Sequence, residues 1–370
     1  MSTLFTPIKL RDLALRNRLM VAPMCQYSAD NGEANDWHFT HINSLALSGA
    51  AMFCIEATAV EAIGRITPGC LGLWNDATEA ALRPIIASVR KHSKIAVAMQ
   101  LAHAGRKGSS HVPWDGGQLI PMSEGGWQAE GPSAVPHKEG EVPPRALDAA
   151  GLARVRDAFV ATAKRAERLG LDALELHCAH GYLLHQFLSP ISNQRTDQYG
   201  GSLQDRMRYP LEVFDAIRAV FPEHKPVGIK VSATDWVAGG WDLPQTIEFA
   251  GELKRRGVDW IDVSSGGVSP QQKIPLGPGY QVPLAQAIKQ ATGVTTMAVG
   301  LITEPKQAEE IVASGKADMI ALARAMLYDP RWAWHAAAEL GGQVEAPPQY
   351  WRSQPSTHKA LFGATSFGAR

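Results

Sequence analysis

LARVRDAFVATAKRAERLGLDALELHCAHGYLLHQFL, residues Leu152 to Leu188, carries two hydrophobic periods in succession. Val155, Phe159, Ala163 and Ala166 recur at the spacing of one helix face, and Gly170 supplies the stop. The run that follows, ALELHCAH, is short, apolar and of strand type. A helix feeding straight into a buried strand is part of a βαβ repeat, so the decisive question is how often the pair recurs. Strand-type runs appear again at RLMVAPM, AMFCIEATAV, IAVAMQLAH, VGIKVSA, WIDVSSG, TTMAVG and MIALAR, with helical patterns between them. Eight alternating units predict an α/β fold, a parallel sheet covered by helices and closed as a (β/α)8 TIM barrel. A doubly wound sheet would show a glycine-rich dinucleotide turn after its first strand, and the chain contains no GxGxxG.

The 370 residues are 45% hydrophobic and 19% charged, enough for one large core. Lysine plus arginine equal aspartate plus glutamate at 36 each, which excludes a long-range field for nucleic acid or an anionic membrane. Small molecules and like subunits are the expected partners. Cys25, Cys54, Cys70 and Cys178 form no CxxC pair, which speaks against a disulfide scaffold, a zinc knuckle and a cysteine-ligated cluster. The start, MSTLFTPIKLRD, lacks the apolar core of a signal peptide, and no run approaches the ~18 apolar residues of a membrane span. A cytoplasmic protein is expected.

A single barrel is expected over residues 1–340. Its one interruption, Gly105 to Leu147, is rich in Gly, Pro and Trp, lies between the third strand and its helix, and reads as an ordered cap over the barrel mouth. The tail, 341–370, follows the last helix with no partner element and reads as an interface segment.

Chemistry in such a barrel collects at the C-terminal ends of the strands. Cys25, Ala57, Thr58, Gln100, His103, His177, His180, Lys230, Gly300 and Arg324 stand there. Cys25 alone reads as a small buried hydrophobe, and His103 as a satisfied loop histidine. Lys230 in VGIKVSA needs an anionic partner, since a desolvated ammonium is costly. His177 and His180 with Cys178 and Glu175 offer nitrogen, sulfur and oxygen donors for a metal, and a metal-dependent barrel hydrolase using His177, Cys178 and His180 is one reading. On a strand, however, positions three apart face opposite ways, so both histidines aim inward only if the strand ends between them. No HExxH or CxxC accompanies them. A second reading makes them hydrogen-bond donors to an oxygen whose charge grows during reaction, with Tyr182 delivering a proton nearby. Hydride addition to an α,β-unsaturated carbonyl builds such charge, and it requires a hydride carrier.

LRNRLMVAPMCQYSA, GRITPGCLGLWND, QLAHAGRK, LELHCAHGYLLHQFLSPISNQRTDQYGGS, SATDWVAGGWD, DVSSGG, AVGLIT and ALARAMLYDP span nearly the whole chain. Together they make it resemble the Old Yellow Enzyme family of FMN-dependent ene-reductases, and within it the short bacterial subgroup with a cysteine beside the flavin. The resemblance implies non-covalent FMN at the barrel mouth, NADPH or NADH as reductant, and a ping-pong reduction of activated alkenes, nitro compounds or nitrate esters. Longer relatives, of the dienoyl-CoA reductase and trimethylamine dehydrogenase type, add a cysteine-rich cluster segment for which the sequence has no counterpart. A flavin-binding barrel without turnover is the remaining alternative.

Carried over residue by residue, the resemblance sets Pro23, Met24 and Cys25 against the flavin ring, gives Ala57 a backbone contact, and has Gln100 read the pyrimidine edge. Lys230 stands where the family more usually has arginine, keeping the positive charge but losing the bidentate fork. Gly300, Leu301, Ala323 and Arg324 match the phosphate site. His177 and His180 match the pair that holds the substrate oxygen, Tyr182 the proton donor, and Tyr27 a second phenol facing the substrate. His185, Arg195 and Asp197 read as structural. In PPQYWR, Arg352 matches an arginine sent across a dimer interface into the neighbour's site, in a homodimer or homotetramer, although Ser353 stands where the subgroup often has glycine.

Overall fold

β1 (Leu19–Val21), β2 (Met52–Ala59), β3 (Ala96–Ala102), β4 (Ala173–Cys178), β5 (Val227–Ser232), β6 (Ile261–Ser264), β7 (Thr296–Ala298) and β8 (Met319–Leu322) stand side by side in chain order as a closed parallel barrel. Each falls inside one of the eight predicted runs. Closure is made by β8, whose Ile320, Ala321 and Leu322 align with Leu19, Met20 and Val21. The computed structural model describes residues 2–365; Met1, at the head of the expected barrel, and 366–370, at the end of the expected tail, lie outside the described residues.

The major helices outside the barrel are α1 (Asp36–Ala46), α2 (Asp76–His92), α3 (Ala149–Arg168), α4 (Leu203–Val220), α5 (Leu243–Arg255), α6 (Val282–Thr292), α7 (Pro305–Ala313) and α8 (Trp332–Leu340). α3 begins three residues before the periodic pattern because Asp148 caps it, accepting the Gly151 N–H at 2.8 Å. Its stop is Gly170, at φ +75°, where a left-handed backbone favours glycine. Val155, Phe159, Ala163 and Ala166 are wholly buried against the barrel wall, as the pattern demands.

Alternation along the strands divides the interior into two zones. Toward the N-terminal end the inward residues are apolar: Met20, Met52, Cys54, Ala98, Met297 and Met319 pack around Trp260. Leu10 and Leu15, from the hairpin Ile8–Leu10 and Leu13–Leu15, join this cluster and plug that end. Gly228 makes room for the indole, since a Cβ there would lie 2.0 Å from it. Further along, the inward residues turn polar: Gln100, Glu175, His177, Lys230 and Asp262, all buried. The site must lie here.

The insertion after β3 forms turns at Gly105–Lys107, Pro113–Asp115 and Met122–Glu124 and a two-residue strand pair, Glu130–Gly131 with Arg145–Ala146. It is tied down by Arg106, which donates to the carbonyls of Val135, Pro136 and Val268, and by the Trp127 indole, which donates to Ile63 O at 2.9 Å.

The tail corrects one expectation. It does have partners in its own chain: Trp334 of α8 packs edge-on to Tyr350 and Phe362, Arg331 lies over Tyr350, and Val344 N–H donates to Leu361 O. Sequence pattern missed this because the tail packs through isolated aromatics on a short 3-10 turn, Pro348–Ser353, with no period to detect. Among the described residues no helix is long and apolar enough to cross a membrane.

Replacing Phe159 with alanine should cost about 3–5 kcal/mol of stability, the transfer and cavity cost of a buried phenylalanine. Chemical denaturation of the variant beside the parent checks this, and a loss within ~0.5 kcal/mol would remove Phe159 from the core.

Candidate active site

β4 carries Glu175 and His177 inward and Cys178 outward. The Cys178 thiol belongs to the apolar cluster beneath the helices, and burial holds its pKa far above the ordinary value. The set His177, Cys178 and His180 is therefore not assembled as metal ligands, because strand alternation sends the sulfur away. One group with metal-ligand spacing does exist among the described residues, Glu61, His103 and Glu130. It is already neutralised: Arg154 pairs with both carboxylates, Arg145 with Glu130, and His103 Nε2 lies 3.0 Å from Glu61. Burial would raise Glu61, but His103 and Arg154 outweigh it and hold it at about 2. His103 Nδ1 accepts from Gly105 N–H, so this histidine is the loop-fixing residue expected.

The strand ends at Cys178, and the chain then turns through His180 at φ +58° and Gly181 at φ +72°. That turn is what brings two histidines three apart to one side. It is pressed against the connection after β6, where a Cβ on Gly181 would lie 2.2 Å from Gly267 O. Lys107 Nζ bridges the two, donating to His180 O at 2.9 Å and Gly267 O at 3.1 Å. His185, one turn on, accepts the Gly181 N–H at Nδ1 (2.8 Å), while its Nε2 lies 2.9 Å from Asp235. Arg195 knits the following loop by pairing with Asp197 and donating to Leu147 O. These residues hold the turn.

Three rings meet as a result. His177 stands edge-on to His180 with centroids 5.2 Å apart, and to Tyr182 at 5.0 Å. His180 Nε2 lies 2.7 Å from Ser264 Oγ, and His177 Nδ1 has no partner within the protein. Burial, then the neighbouring imidazole and Lys230, push His177 well below the usual histidine range; burial, then Lys230, does the same to His180. Both imidazoles are neutral. Burial drives the Tyr182 phenol well above its ordinary value, so it keeps its proton, and Lys107 Nζ sits 4.9 Å from its ring centre.

Beyond β1, Pro23, Met24, Cys25 and Tyr27 form an irregular segment, with Tyr27 at φ +53° and its ring edge-on to Trp114 of the insertion. Burial, then Cys70 and Glu56, raise the Cys25 thiol well above its ordinary value. It is a thiol, not a thiolate. The β2 ladder is irregular between Ile55 and Thr58, and this break turns the Ala57 backbone toward Cys25. Ala57, Tyr182 and Cys70 line one cleft. Glu56, pushed to about 8 by burial, accepts the Gln26 N–H beneath this segment.

Deeper in the mouth, Lys230 has the anionic partner its sequence context required, Asp262, at 2.6 Å. Burial would lower Lys230, but Asp262 and then Glu175 outweigh it and keep it cationic. Gln100 donates to Glu175 at 2.8 Å. Glu175, Asp262, Ser264 and Lys107 were not assigned these roles from sequence, although the alternation of ALELHCAH and WIDVSSG carries the signal: each acid stands two positions before an inward histidine or serine. Gly300 (φ +111°) and Leu301 (φ +50°) follow β7, while Ala323 and Arg324 follow β8. A Cβ on Gly300 would lie 2.5 Å from the Gln281 amide, so this turn requires glycine. Arg352 is not brought to these residues. Its segment shares a groove with Asn17, Gly49, Lys94 and Asp172, at the N-terminal ends of the strands.

The residues at the mouth fit FMN: a buried cation and amide, an imidazole nitrogen left without a protein partner, and tight backbone turns after β7. Residues 3–342 match the family model described as NADH:flavin oxidoreductase / NADH oxidase. Among curated relatives, an NADPH dehydrogenase of Geobacillus thermodenitrificans is 40% identical over 353 residues, covering 95% of this chain and 98% of that protein. An NADPH dehydrogenase of Listeria innocua is 42% identical over 355 residues, covering 95% and 99%. Among solved structures, morphinone reductase superposes with a TM-score of 0.76 at 27% identity, covering 99% of this chain and 94% of that one. The matched barrel, the cofactor-ready mouth and this level of identity make the chain a member of the NADH:flavin oxidoreductase / NADH oxidase family, the Old Yellow Enzyme family, and hence an FMN-dependent oxidoreductase that draws its electrons from NADH or NADPH.

Proposed function

We propose that the protein is an ene-reductase, reducing the C=C bond of α,β-unsaturated carbonyls and accepting nitro compounds or nitrate esters, by a ping-pong mechanism in the cytoplasm. The observation that carries this reading is the meeting of two neutral imidazoles and one protonated phenol in a single buried cluster. Bound FMN supplies the hydride chemistry that no side chain can. His177 and His180 hold the substrate oxygen, where negative charge grows as hydride reaches the β-carbon. His180 does so in the tautomer in which the Ser264 hydroxyl donates to Nε2 and Nδ1 keeps the proton. Tyr182 then gives its proton to the α-carbon, with Lys107 beside the ring to favour the phenolate left behind. Tyr27 adds a second phenol, and Trp114 behind it makes the insertion a cap over the single FMN-binding barrel. Pro23, Met24, Cys25, Ala57, Gln100 and Lys230 take the isoalloxazine; Gly300, Leu301, Ala323 and Arg324 take the phosphate.

The remaining assignment, Arg352 acting in trans, is supported by its position in the chain's own fold, away from the chain's own histidines. Exposed apolar groups on three adjoining elements, Phe39 on α1, Leu327 and Tyr328 before α8, and Tyr350 of the tail, give a second copy a surface to bury. Arg331 joins these elements, donating to Ser44 O and lying over Tyr350.

Tyr182→Phe should leave cofactor reduction by NAD(P)H nearly intact and slow oxidation by an enone by about 10²- to 10⁴-fold. Anaerobic stopped-flow separates the two halves, and equal slowing of both would remove the proton-donor role. His177→Ala should weaken phenolic ligands and cost on the order of 3 kcal/mol in the transition state. If the parent protein binds FMN yet consumes no NAD(P)H with any enone, the barrel without turnover is the correct reading. Arg352→Ala should raise KM while FMN stays bound; a cross-linking map of the assembly that keeps Arg352 away from every flavin would exclude the trans contact.

A further inference from the structure

Inside the barrel, below the histidines, three ionisable side chains share a space closed to water: Glu175 and Asp262 are wholly buried and Lys230 nearly so. Lys230 and Asp262 are register partners, and Nζ lies 2.6 Å from Oδ2. Glu175 is held instead by neutral donors, Gln100 Nε2 at 2.8 Å and Trp260 Nε1 at 3.2 Å. Two carboxyls therefore share one ammonium. Around them, β2 presents Cys54, β3 Gln100, β4 Glu175 and His177, β5 Lys230 and β6 Asp262, with Trp260 just before β6; the inward residues of β1, β7 and β8 are Met20, Met297, Met319 and Ala321, which carry no charge. Lys230 is thus the one cation of this ring among the described residues, and Asp262 Oδ1 has no partner.

We propose that Glu175 is the proton acceptor of the barrel interior: it takes one proton from solvent each time the bound flavin is reduced and releases it on reoxidation, acting through Lys230 without touching substrate. This rests on the family reading, which sets Lys230 against the flavin. Reduction adds negative charge at the cofactor, next to the ammonium the two acids share, and a carboxylate deprived of its cation gains affinity for a proton. Atoms and electrons balance: NAD(P)H gives a hydride to the cofactor, and a separate solvent proton forms an O–H bond on the Glu175 carboxylate. Burial, then Asp262, already raise Glu175. A lysine sharpens the effect, because its point charge cannot fork between Asp262 and the flavin as a guanidinium can.

The sign of the pH effect follows. At acid pH Glu175 is protonated in both states, and only the proton that accompanies the hydride's two electrons is taken up. Above that range Glu175 is ionised beside the oxidised cofactor and protonated beside the reduced one, so two protons are taken up. Potentiometric titration of the holoenzyme from about pH 6 to about pH 9 should show the reduction equilibrium constant falling about tenfold per pH unit on the acid side and steepening toward about a hundredfold as pH rises. In Glu175→Gln the dependence should stay near tenfold throughout. Reduced-minus-oxidised infrared spectra of the parent should gain a carboxylic-acid C=O band, and the band should persist in Glu56→Gln, whose carboxyl is held by Gln26 N–H and His38 and not by Lys230. A tenfold dependence throughout in the parent, a hundredfold one surviving in Glu175→Gln, or a band lost with Glu56 overturns the proposal. Should Glu175→Gln fail to hold flavin, the infrared pair decides alone. A parent protein purified without FMN would instead unseat the family reading.

Discussion

Side chains of neighbouring parallel strands meet only where the ladder aligns them, and the closure of β1 on β8 leaves no strand free to slip. Everything at the mouth inherits that constraint. His177 of β4 aligns with Lys230 of β5, which aligns with Asp262 of β6; one level lower, Gln100 aligns with Glu175 and Glu175 with Gly228. A slip by one residue in β4 would send His177 and Glu175 into the apolar shell under the helices and bring Cys178 into the mouth. The register is therefore what makes the chemistry.

The polar half of the barrel is costly to bury, and the structure limits that cost by pairing. Lys230 has Asp262, Glu175 has two neutral donors, and the histidines stay neutral instead of charging against Lys230. Neutral imidazoles suit donation to an oxygen that gains charge late. The turn carrying His180 and Tyr182 is fixed by Lys107, His185 and Asp235, so its strained backbone at His180 persists. Burial works against Asp235, but His185 outweighs it and keeps the carboxylate ionised.

Much of this was legible in one dimension. The eight strands fell where the apolar runs predicted, because short apolar runs between amphipathic helices have few other solutions. His185 and His103 were read as structural, and each accepts a backbone N–H. The tail's contacts with its own α8 were missed, since its aromatics pack there singly. Glu175 passed as a metal donor and Asp262 went unnoticed, because a buried acid announces itself only when its partner, 55 or 32 residues away in the case of Lys230, is known to be adjacent.

Local sequence by itself determined the periods, the stops and the density of functional residue types after β4. These depend on nearest-neighbour sterics and on spacing, which a chain carries before it folds. The family likeness was written there too. Only the tertiary structure decided that Lys230 belongs to Asp262, that Cys178 faces away from His177, and that Arg352 lies at the far end of its own barrel. Those facts arise from closure of the sheet, which brings together residues remote in sequence at distances that no spacing along the chain encodes.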